Sequence, residues 1–278
     1  MTAPEHVHLA GGCADCPVYH AAQLKKLGVD MTDWDHVVAL AGNPNTGKST
    51  VFNNLTGLRQ HTGNWPGKTV TRAEGGMQYA DRRFKLVDLP GTYSLLSTST
   101  DEEIARDFLL FGKPDVTVIV VDATRIERNL NLVLQILEIT DRVVVCLNLI
   151  DEANRHNLEI DDRQLSRDLG VPVVPTAARL KQGMDKLLGS LHAVATGSYT
   201  CKPFRLKKVT PKTTHAVEKL TDRIRERFPD LPNVRWIAMR LLEGDRRIIE
   251  SIRSGELGRL HQDQNVLEKM KTYGYENV

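Results

Sequence analysis

The residues best suited to chemistry form a GxxxxGK[ST] motif at residues 42–49, directly after the apolar run 37–41. This order predicts a strand that leads into a phosphate-binding loop, whose glycines let backbone N–H groups turn towards phosphates. Lys48 would give positive charge to the β- and γ-phosphates, and the Ser49 hydroxyl would bind Mg²⁺. A purely structural Gly-rich turn between strand and helix is the alternative. The predicted nucleotide contacts are Gly42, Asn43, Pro44, Asn45, Thr46, Gly47, Lys48, Ser49 and Thr50.

A DxxG motif at residues 88–91 follows the short apolar run 84–87. The Asp88 carboxylate is predicted to bind Mg²⁺ through water, and the Gly91 N–H to contact the γ-phosphate. DxxG alone is common, but here it follows the phosphate loop by about 40 residues and ends a strand. This order indicates a nucleotide switch. The predicted contacts are Asp88, Leu89, Pro90 and Gly91.

The stretch 57–71, named here the switch segment, is rich in turn-forming residues and is predicted to be irregular. Long irregular segments beside a phosphate site are usually mobile and functional. Thr69 is predicted to bring its hydroxyl to Mg²⁺ and its N–H to the γ-phosphate. The alternative is a turn threonine that leads into a strand at 70–77. The predicted contacts are Gly67, Lys68 and Thr69.

An NxxD motif, with Asn148 first and Asp151 last, follows the apolar run 142–147. A carboxylate can accept from N1–H and the exocyclic amine of guanine, which adenine does not offer. An aspartate that caps the next helix is the alternative. A loop after the predicted strand 171–175 would bring a backbone N–H to guanine O6. The predicted base contacts are Asn148, Leu149, Asp151, Thr176, Ala177 and Ala178.

The elements that must position these residues read as strands alternating with helices, an α/β pattern. The run 116–121 is continuous and β-branched, which is typical of a strand buried on both faces of a parallel sheet. Helices are predicted at 50–55 and from Gly183 to Leu191.

Composition excludes several classes of protein. An apolar content of 41% and a charged content of 26% are ordinary for a globular chain, and no window approaches a membrane span. A net charge of +2 argues against a nucleic-acid binder. Four cysteines in 278 residues do not make a disulfide framework, which favours a reducing, cytoplasmic setting. A weak homo-oligomer is left open.

The first 35 residues form a predicted N-terminal extension with the CxxC pair Cys13 and Cys16. Such thiols, with histidines nearby, can hold Zn²⁺ or Fe²⁺. A terminus with incidental thiols is the alternative. A short helix is predicted at 21–27.

The C-terminal part, residues 200–278, is predicted to be a helical domain. Amphipathic spacing indicates helices at 213–228, 233–243, 245–252 and 260–271. The intervening region, 36–195, would be the nucleotide-binding domain.

With these motifs in hand, residues 37–191 resemble the G domain of the bacterial ferrous-iron transporter family FeoB. The matching strings are GNPNTGKST, HTGNWPGKTV, DLPGTYSL, VVDATRIERNL, NLID and GVPVVPTAAR. The resemblance implies a Ras-like, mostly parallel six-stranded sheet followed by a small helical, GDI-like domain. It also implies a membrane permease in the same protein, and a place for this segment, itself soluble, on the cytoplasmic side of the inner membrane. The chain departs from the family pattern at Lys68, Leu149 and Ala177.

The resemblance also bears on catalysis. Thr92 follows DxxG where small G proteins carry the glutamine that orients water. In GTPases of this kind, a phosphate-loop asparagine lets K⁺ sit between phosphates, and Asn45 holds that position. The carbonyls of Gly63 and Trp65 would complete the K⁺ shell. A structural role in the turn is the alternative for Asn45. The catalytic set is then Asn45, Lys48, Gly67 and Thr69, with GTP or GDP, Mg²⁺ and K⁺ as ligands.

Three functions remain open at this point. The first is a regulatory GTPase domain of an iron transporter. The second is a free-standing GTPase acting on RNA or ribosomes, although the C-terminal part shows no basic and aromatic pattern typical of RNA binding. The third is a nucleotide-binding module with negligible hydrolysis, which Thr92 favours.

Overall fold

The computed structural model describes residues 17–57, 60–96, 99–204, 211–228, 231 and 233–253. The strands are β1 (His36–Gly42), β2 (Gln60–Asn64), β3 (Thr71–Tyr79), β4 (Arg82–Asp88), β5 (Val116–Asp122), β6 (Val143–Asn148) and β7 (Val173–Pro175). They form one sheet in the order β2-β3-β4-β1-β5-β6-β7. The β2–β3 and β3–β4 pairs are antiparallel, and the other neighbouring pairs are parallel.

Helices follow most strands and pack on both faces of the sheet. They are α1 (Pro17–Lys26), α2 (Lys48–Thr56), α3 (Thr100–Asp107), α4 (Ile126–Ile139), α5 (Ile150–Arg155), α6 (Asp162–Leu169), α7 (Met184–Ala195), α8 (Pro211–Arg227), α9 (Val234–Leu242) and α10 (Arg246–Arg253). Helix α3 continues into one turn of π-helix at Phe108–Gly112.

The alternation of side chains along β1 explains why both faces are covered. Val37 and Ala39 belong to one buried cluster with residues of α1, the π-helical turn and α4, whereas Val38 and Leu40 belong to another with residues of α2 and α7. Successive strand side chains point to opposite faces, so an uninterrupted apolar strand needs cover on each side. The α/β class expected from the sequence is confirmed.

The sheet has seven strands, not the expected six, because β2 adds an edge strand. It lies in the switch segment, which was expected to lack regular structure, and it pairs with β3 from Gln60 opposite Gly75 to Asn64 opposite Thr71. Residues 61–64 are exposed. An exposed polar edge strand carries no hydrophobic period, so the pattern of apolar residues does not reveal it.

The segment before β1 is built into the core. Leu24 and Val29 are fully buried and pack in the same cluster as β1 and the π-helical turn. We name residues 17–35 the N-terminal arm. The predicted metal ligands Cys13 and Cys16 lie outside the described residues.

The three C-terminal helices pack together, with α9 between α8 and α10. Val217, Ile224 and Ile237 are buried among them. The helix expected at 260–271 lies outside the described residues. Within the described ranges, every helix is too short or too polar to cross a membrane.

Candidate functional site

The three motifs meet at the carboxyl-terminal edge of the parallel strands. The phosphate loop follows β1, DxxG begins at the last residue of β4, and NxxD begins at the last residue of β6. Strand β4 is the direct neighbour of β1, and β6 lies two places away on the other side. The carboxyl edge of an open α/β sheet is where such folds bind ligands.

Two glycines of the phosphate loop are required by close contacts. Gly47 has φ +79°, and a Cβ there would lie 2.4 Å from Asn148 Nδ2. A Cβ on Gly42 would lie 2.6 Å from the Val120 carbonyl oxygen. Asn45 also has a positive φ, 65°, which asparagine tolerates better than most residues. The backbone of the loop therefore depends on these residue types.

Lys48 connects the phosphate loop with DxxG. Its ammonium contacts the Asp88 carboxylate and donates to the Leu89 carbonyl oxygen at 2.8 Å. Burial raises the pKa of Asp88, and the Lys48 ammonium opposes this shift by favouring the ionised carboxylate. The lysine therefore lies between the two phosphate motifs, next to the exposed Ser49 and Thr50 at the start of α2.

Asn148 joins the phosphate loop to the loop that follows β7. We name this loop, residues 176–178, the base loop. Its Nδ2 donates to the Thr46 carbonyl oxygen at 2.9 Å, and its Oδ1 accepts from Ala178 N at 3.0 Å and Thr176 Oγ1 at 3.3 Å. The side chain is 1% exposed, and all these partners lie far away in sequence. Asn148 thus organises both loops.

The carboxylate of Asp151 is held by two arginines that sequence reasoning missed. Arg155 Nη2 lies 2.9 Å from Asp151 Oδ2, and Arg179 Nη2 lies 3.4 Å from the same atom. Partial burial works against ionisation, but the Arg155 hydrogen bond and both positive charges outweigh it and lower the pKa of Asp151. Leu149, at φ 64°, turns the chain between Asn148 and Asp151.

In the base loop, the N–H groups of Ala177 and Ala178 already have partners within the protein. Ala177 N donates to the Gln182 carbonyl oxygen at 3.1 Å, and Ala178 N donates to Asn148 Oδ1. Ala177 is buried, which fits a small side chain there. Guanine O6 would therefore have to share the Ala178 N–H with Asn148 or the Ala177 N–H with Gln182.

The switch segment continues from β2 into a turn. Gly63 lies in β2, and the Trp65 carbonyl oxygen accepts from Lys68 N at 3.0 Å. Gly67 has φ +68°, and Thr69 is exposed.

Lys68, one of the expected nucleotide contacts, points to another partner. Its Nζ lies 2.8 Å from Glu103 Oε2 at the start of α3. This pair connects the switch segment with the helix that follows the DxxG loop. Glu103 is 35 residues away, so nothing in the local sequence indicates it.

The chain after DxxG lies against the phosphate loop. Thr92 N donates to the Gly42 carbonyl oxygen at 3.3 Å, and Thr92 is buried. Arg128 Cζ, at the start of α4, lies 4.3 Å from the centre of the half-exposed Tyr93 ring. A Cβ on Gly91 would lie 3.4 Å from Pro44 N, so this segment packs beside the phosphate loop.

A cleft of about 320 Å³ borders the phosphate loop. Its walls are Asn43, Pro44, Asn45, Thr46, Tyr93, Asp122, Thr124, Arg125, Arg128, Asn129, Leu149 and Glu152. Lys48, Ser49 and Asp151 do not line it, so it adjoins the predicted phosphate and base contacts without containing them.

An α/β sheet with GxxxxGKS, DxxG and NxxD at the carboxyl ends of its parallel strands defines a P-loop fold of the GTPase type. Residues 36–191 match the family model described as Ferrous iron transport protein B, and residues 211–276 match the FeoB cytosolic helical domain. The chain therefore belongs to the FeoB family, as its motifs indicated.

Relatives and solved structures agree with this assignment. The Fe(2+) transporters FeoB of Salmonella typhimurium and Escherichia coli K12 are each 40% identical over 212 residues, which is 75% of this chain and 27% of theirs. The chain thus spans about a quarter of the length of these relatives. The cytosolic domain of T. maritima FeoB in apo form has a TM-score of 0.71 and 36% identity, covering 82% of this chain and 87% of that one. The cytosolic domain of L. pneumophila FeoB has a TM-score of 0.72 and 33% identity, covering 82% and 90%.

Proposed function

We propose that this chain is the guanine-nucleotide-binding and GTP-hydrolysing regulatory part of a ferrous iron transporter, dependent on Mg²⁺ and stimulated by K⁺. The observation that carries the proposal is the Asn148 network, which ties the phosphate loop to the base loop at the carboxyl edge of the sheet. Similar chains support it, since the T. maritima FeoB cytosolic domain, which is 35–36% identical to this chain, has been solved in GDP and GMPPNP forms.

The phosphate end of the site has the charge that a nucleotide requires. Backbone N–H groups of the loop and the start of α2 favour anions. Lys48, now on Asp88 and Leu89, would exchange these partners for the β- and γ-phosphates. The exchange leaves the Asp88 carboxylate available to a cation.

The donor set fits Mg²⁺. The hydroxyls of Ser49 and Thr69 and the carboxylate of Asp88 are the hard oxygen ligands that this ion prefers. Ser49 and Thr69 are exposed, and the side chain of Asp88 is 19% exposed. When bound, Mg²⁺ supplies charge neutralisation at the β- and γ-phosphates.

The donor set at Asn45 fits a monovalent cation. Its amide oxygen and the carbonyls of Gly63 and Trp65 are neutral ligands, so they would not neutralise the positive charge of a bound K⁺ ion. When bound, K⁺ stabilises negative charge that develops on the leaving oxygen. Gly67 and Thr69 would position the attacking water through their backbone, because Thr92 is buried and lacks the reach of a glutamine.

The test is phosphate release from GTP in KCl and in NaCl, at equal ionic strength and saturating Mg²⁺. We expect the K⁺ rate to exceed the Na⁺ rate by about tenfold or more, which corresponds to about 1.4 kcal/mol of transition-state stabilisation. Equal rates in the two salts would refute the K⁺ role, and no release in either would refute hydrolysis.

Variants at Asn45 separate the cation role from a role in the turn. Asn45→Gly keeps the positive φ, whereas Asn45→Ala adds backbone strain. We expect both variants to lose the K⁺ preference, and Asn45→Gly to retain fluorescent-GDP affinity. A K⁺ preference that survives in Asn45→Gly would assign this residue to the turn alone.

A further inference from the structure

The N-terminal arm is fastened to the sheet beside the switch segment by one side chain. Arg72 Nη1 donates to the Leu27 carbonyl oxygen at 3.0 Å, and Nη2 donates to the Gly28 carbonyl oxygen at 2.7 Å. Arg72 lies in β3, and its neighbour Thr71 pairs with Asn64 at the end of β2. The guanidinium therefore connects the end of α1 with the strand that carries the switch segment.

The same guanidinium contacts the switch segment itself. Arg72 Cζ lies 5.4 Å from the centre of the Trp65 ring, and this ring meets Phe108 edge-on at 5.5 Å. Trp65 is 3% exposed. Phe108 begins the π-helical turn, whose Gly112 carbonyl oxygen lies 2.8 Å from His20 Nε2 of α1. The arm thus touches the surroundings of Trp65 from two sides.

A second attachment of the arm does not involve Trp65. Glu74 Oε1 lies 2.6 Å from Arg72 Nε, and Glu74 Oε2 lies 2.7 Å from Lys85 Nζ. Lys85 Nζ also donates to the Asp30 carbonyl oxygen at 2.8 Å. Arg72 and Lys85 are similarly buried, at 13% and 11% exposure, so Lys85 is a matched control for loosening the arm.

We propose that Arg72 is a positioning residue that couples the N-terminal arm to Trp65 and thereby holds the switch segment in place. Its planar fork binds two carbonyl oxygens through separate nitrogens while its carbon lies over the Trp65 ring, whereas a lysine ammonium is a single point charge without this fixed geometry. The catalytic consequence rests on the proposed function, because Trp65 is a proposed K⁺ ligand through its carbonyl. Loss of the fork leaves the Trp65 turn less ordered, so more K⁺ is needed to reach the same rate.

Gly28 tests the coupling from the side of the arm. It has φ +83°, and a Cβ there would lie 2.1 Å from Arg72 Nη1. Gly28→Ala therefore displaces the guanidinium and also strains the backbone of the arm at this position, while every residue of β3 and of the switch segment keeps its identity. Arg72→Lys removes the fork from the other side. Lys85→Gln loosens the arm at Asp30 and removes the Glu74–Lys85 ion pair, but it leaves in place the two bonds from Arg72 to Leu27 and Gly28.

The experiment labels the whole chain with 5-fluorotryptophan and records the ¹⁹F resonances of its three tryptophans, with Trp65 assigned through Trp65→Phe. Thermal melting selects the variants that are folded. We expect Arg72→Lys and Gly28→Ala to shift or broaden the Trp65 resonance, and Lys85→Gln to leave it unchanged. The half-maximal K⁺ concentration for phosphate release should rise about fivefold in the first two variants and stay within about twofold in the third.

The outcomes are distinguishable. An unchanged Trp65 resonance in Arg72→Lys, an equal change in Lys85→Gln, or an unchanged K⁺ requirement in an active Arg72→Lys would overturn the proposal. Should wild-type protein show the resonance pattern but release no phosphate in any salt, the coupling would stand and the proposed GTPase activity would fail.

Discussion

At the level of single residues, the proposed recognition of guanine depends on the charged groups around Asp151. Asp151 is the side chain proposed to recognise guanine, and the hydrogen bond and charge of Arg155, with the charge of Arg179, lower the pKa of its carboxyl group. Both arginines are largely exposed, with 61% and 65% of their side chains accessible. They can therefore swing away when a base offers better donors, while the carboxylate stays charged.

Asp151→Asn should change base preference from guanine to xanthine. The amide no longer accepts two hydrogen bonds from guanine, but its NH₂ can donate to the 2-oxo group of xanthine. We expect GTP affinity to fall by about 10- to 150-fold, as for the loss of a charged hydrogen bond of about 1.5–3 kcal/mol, with a gain for XTP. Competition of GTP and XTP against fluorescent GDP measures this.

Glu152→Gln is the control, since it removes an acidic charge from the next position of α5. It should leave the GTP-to-XTP ratio unchanged. If Asp151→Asn keeps full GTP affinity, the guanine assignment is wrong and the aspartate serves only its ion pairs with Arg155 and Arg179, since Asp151 lies inside α5 and does not cap it.

At the level of elements, the connection to the C-terminal helices is attached to the end of α6. Lys202 N donates to the Gly170 carbonyl oxygen at 2.9 Å, and Phe204 N donates to the Leu169 carbonyl oxygen at 3.1 Å. Gly170 also ends α6 at φ +70°. The first residues of this connection are therefore held by backbone hydrogen bonds to the end of α6.

Gly170→Ala should detach this connection. A Cβ would lie 1.8 Å from the Lys202 carbonyl oxygen, which is backbone and must move. We expect the free energy of unfolding to fall by at least about 1–3 kcal/mol, and each kcal/mol lowers Tm by roughly 2–4 °C. Thermal melting measures the loss.

Gly197→Ala is matched to it, because Gly197 has φ +75° and nothing within 4 Å of the added Cβ. This control contains the backbone strain without the collision. Equal Tm changes in the two variants would show that the contact with Lys202 contributes nothing.

At the scale of the whole molecule, the chain combines a G domain with C-terminal helices, and its relatives are longer proteins. The C-terminal helices match the FeoB helical domain, and the chain accounts for about a quarter of its curated relatives. We propose that the remainder is a membrane permease in the same protein, with the present chain at the cytoplasmic face of the bacterial inner membrane. Nucleotide state would then reach the pore through α8 to α10.

The genomic reading frame after Val278 tests this arrangement. It should encode several apolar segments of about 20 residues, the length needed to cross the hydrocarbon core. A stop codon there would contradict the arrangement and favour an independent GTPase, whose partner would then be sought outside the membrane.

The sequence by itself determined the phosphate loop, the order of the three motifs, the α/β class and the family. These features are encoded in local spacing, because a strand followed by GxxxxGKS and a strand followed by DxxG can be recognised within about ten residues. The parallel strands then bring the motifs to one edge without further information.

Only the tertiary structure decided which distant residues surround those motifs. The edge strand β2, the Lys68–Glu103 pair, the Asn148 network and the bridge from Arg72 to the N-terminal arm join residues from 7 to 102 positions apart. Such contacts depend on how helices and strands pack, and polar side chains carry no periodic signal of their partners. The phosphate loop was therefore readable from its own residues, whereas the restraints on the switch segment required the fold.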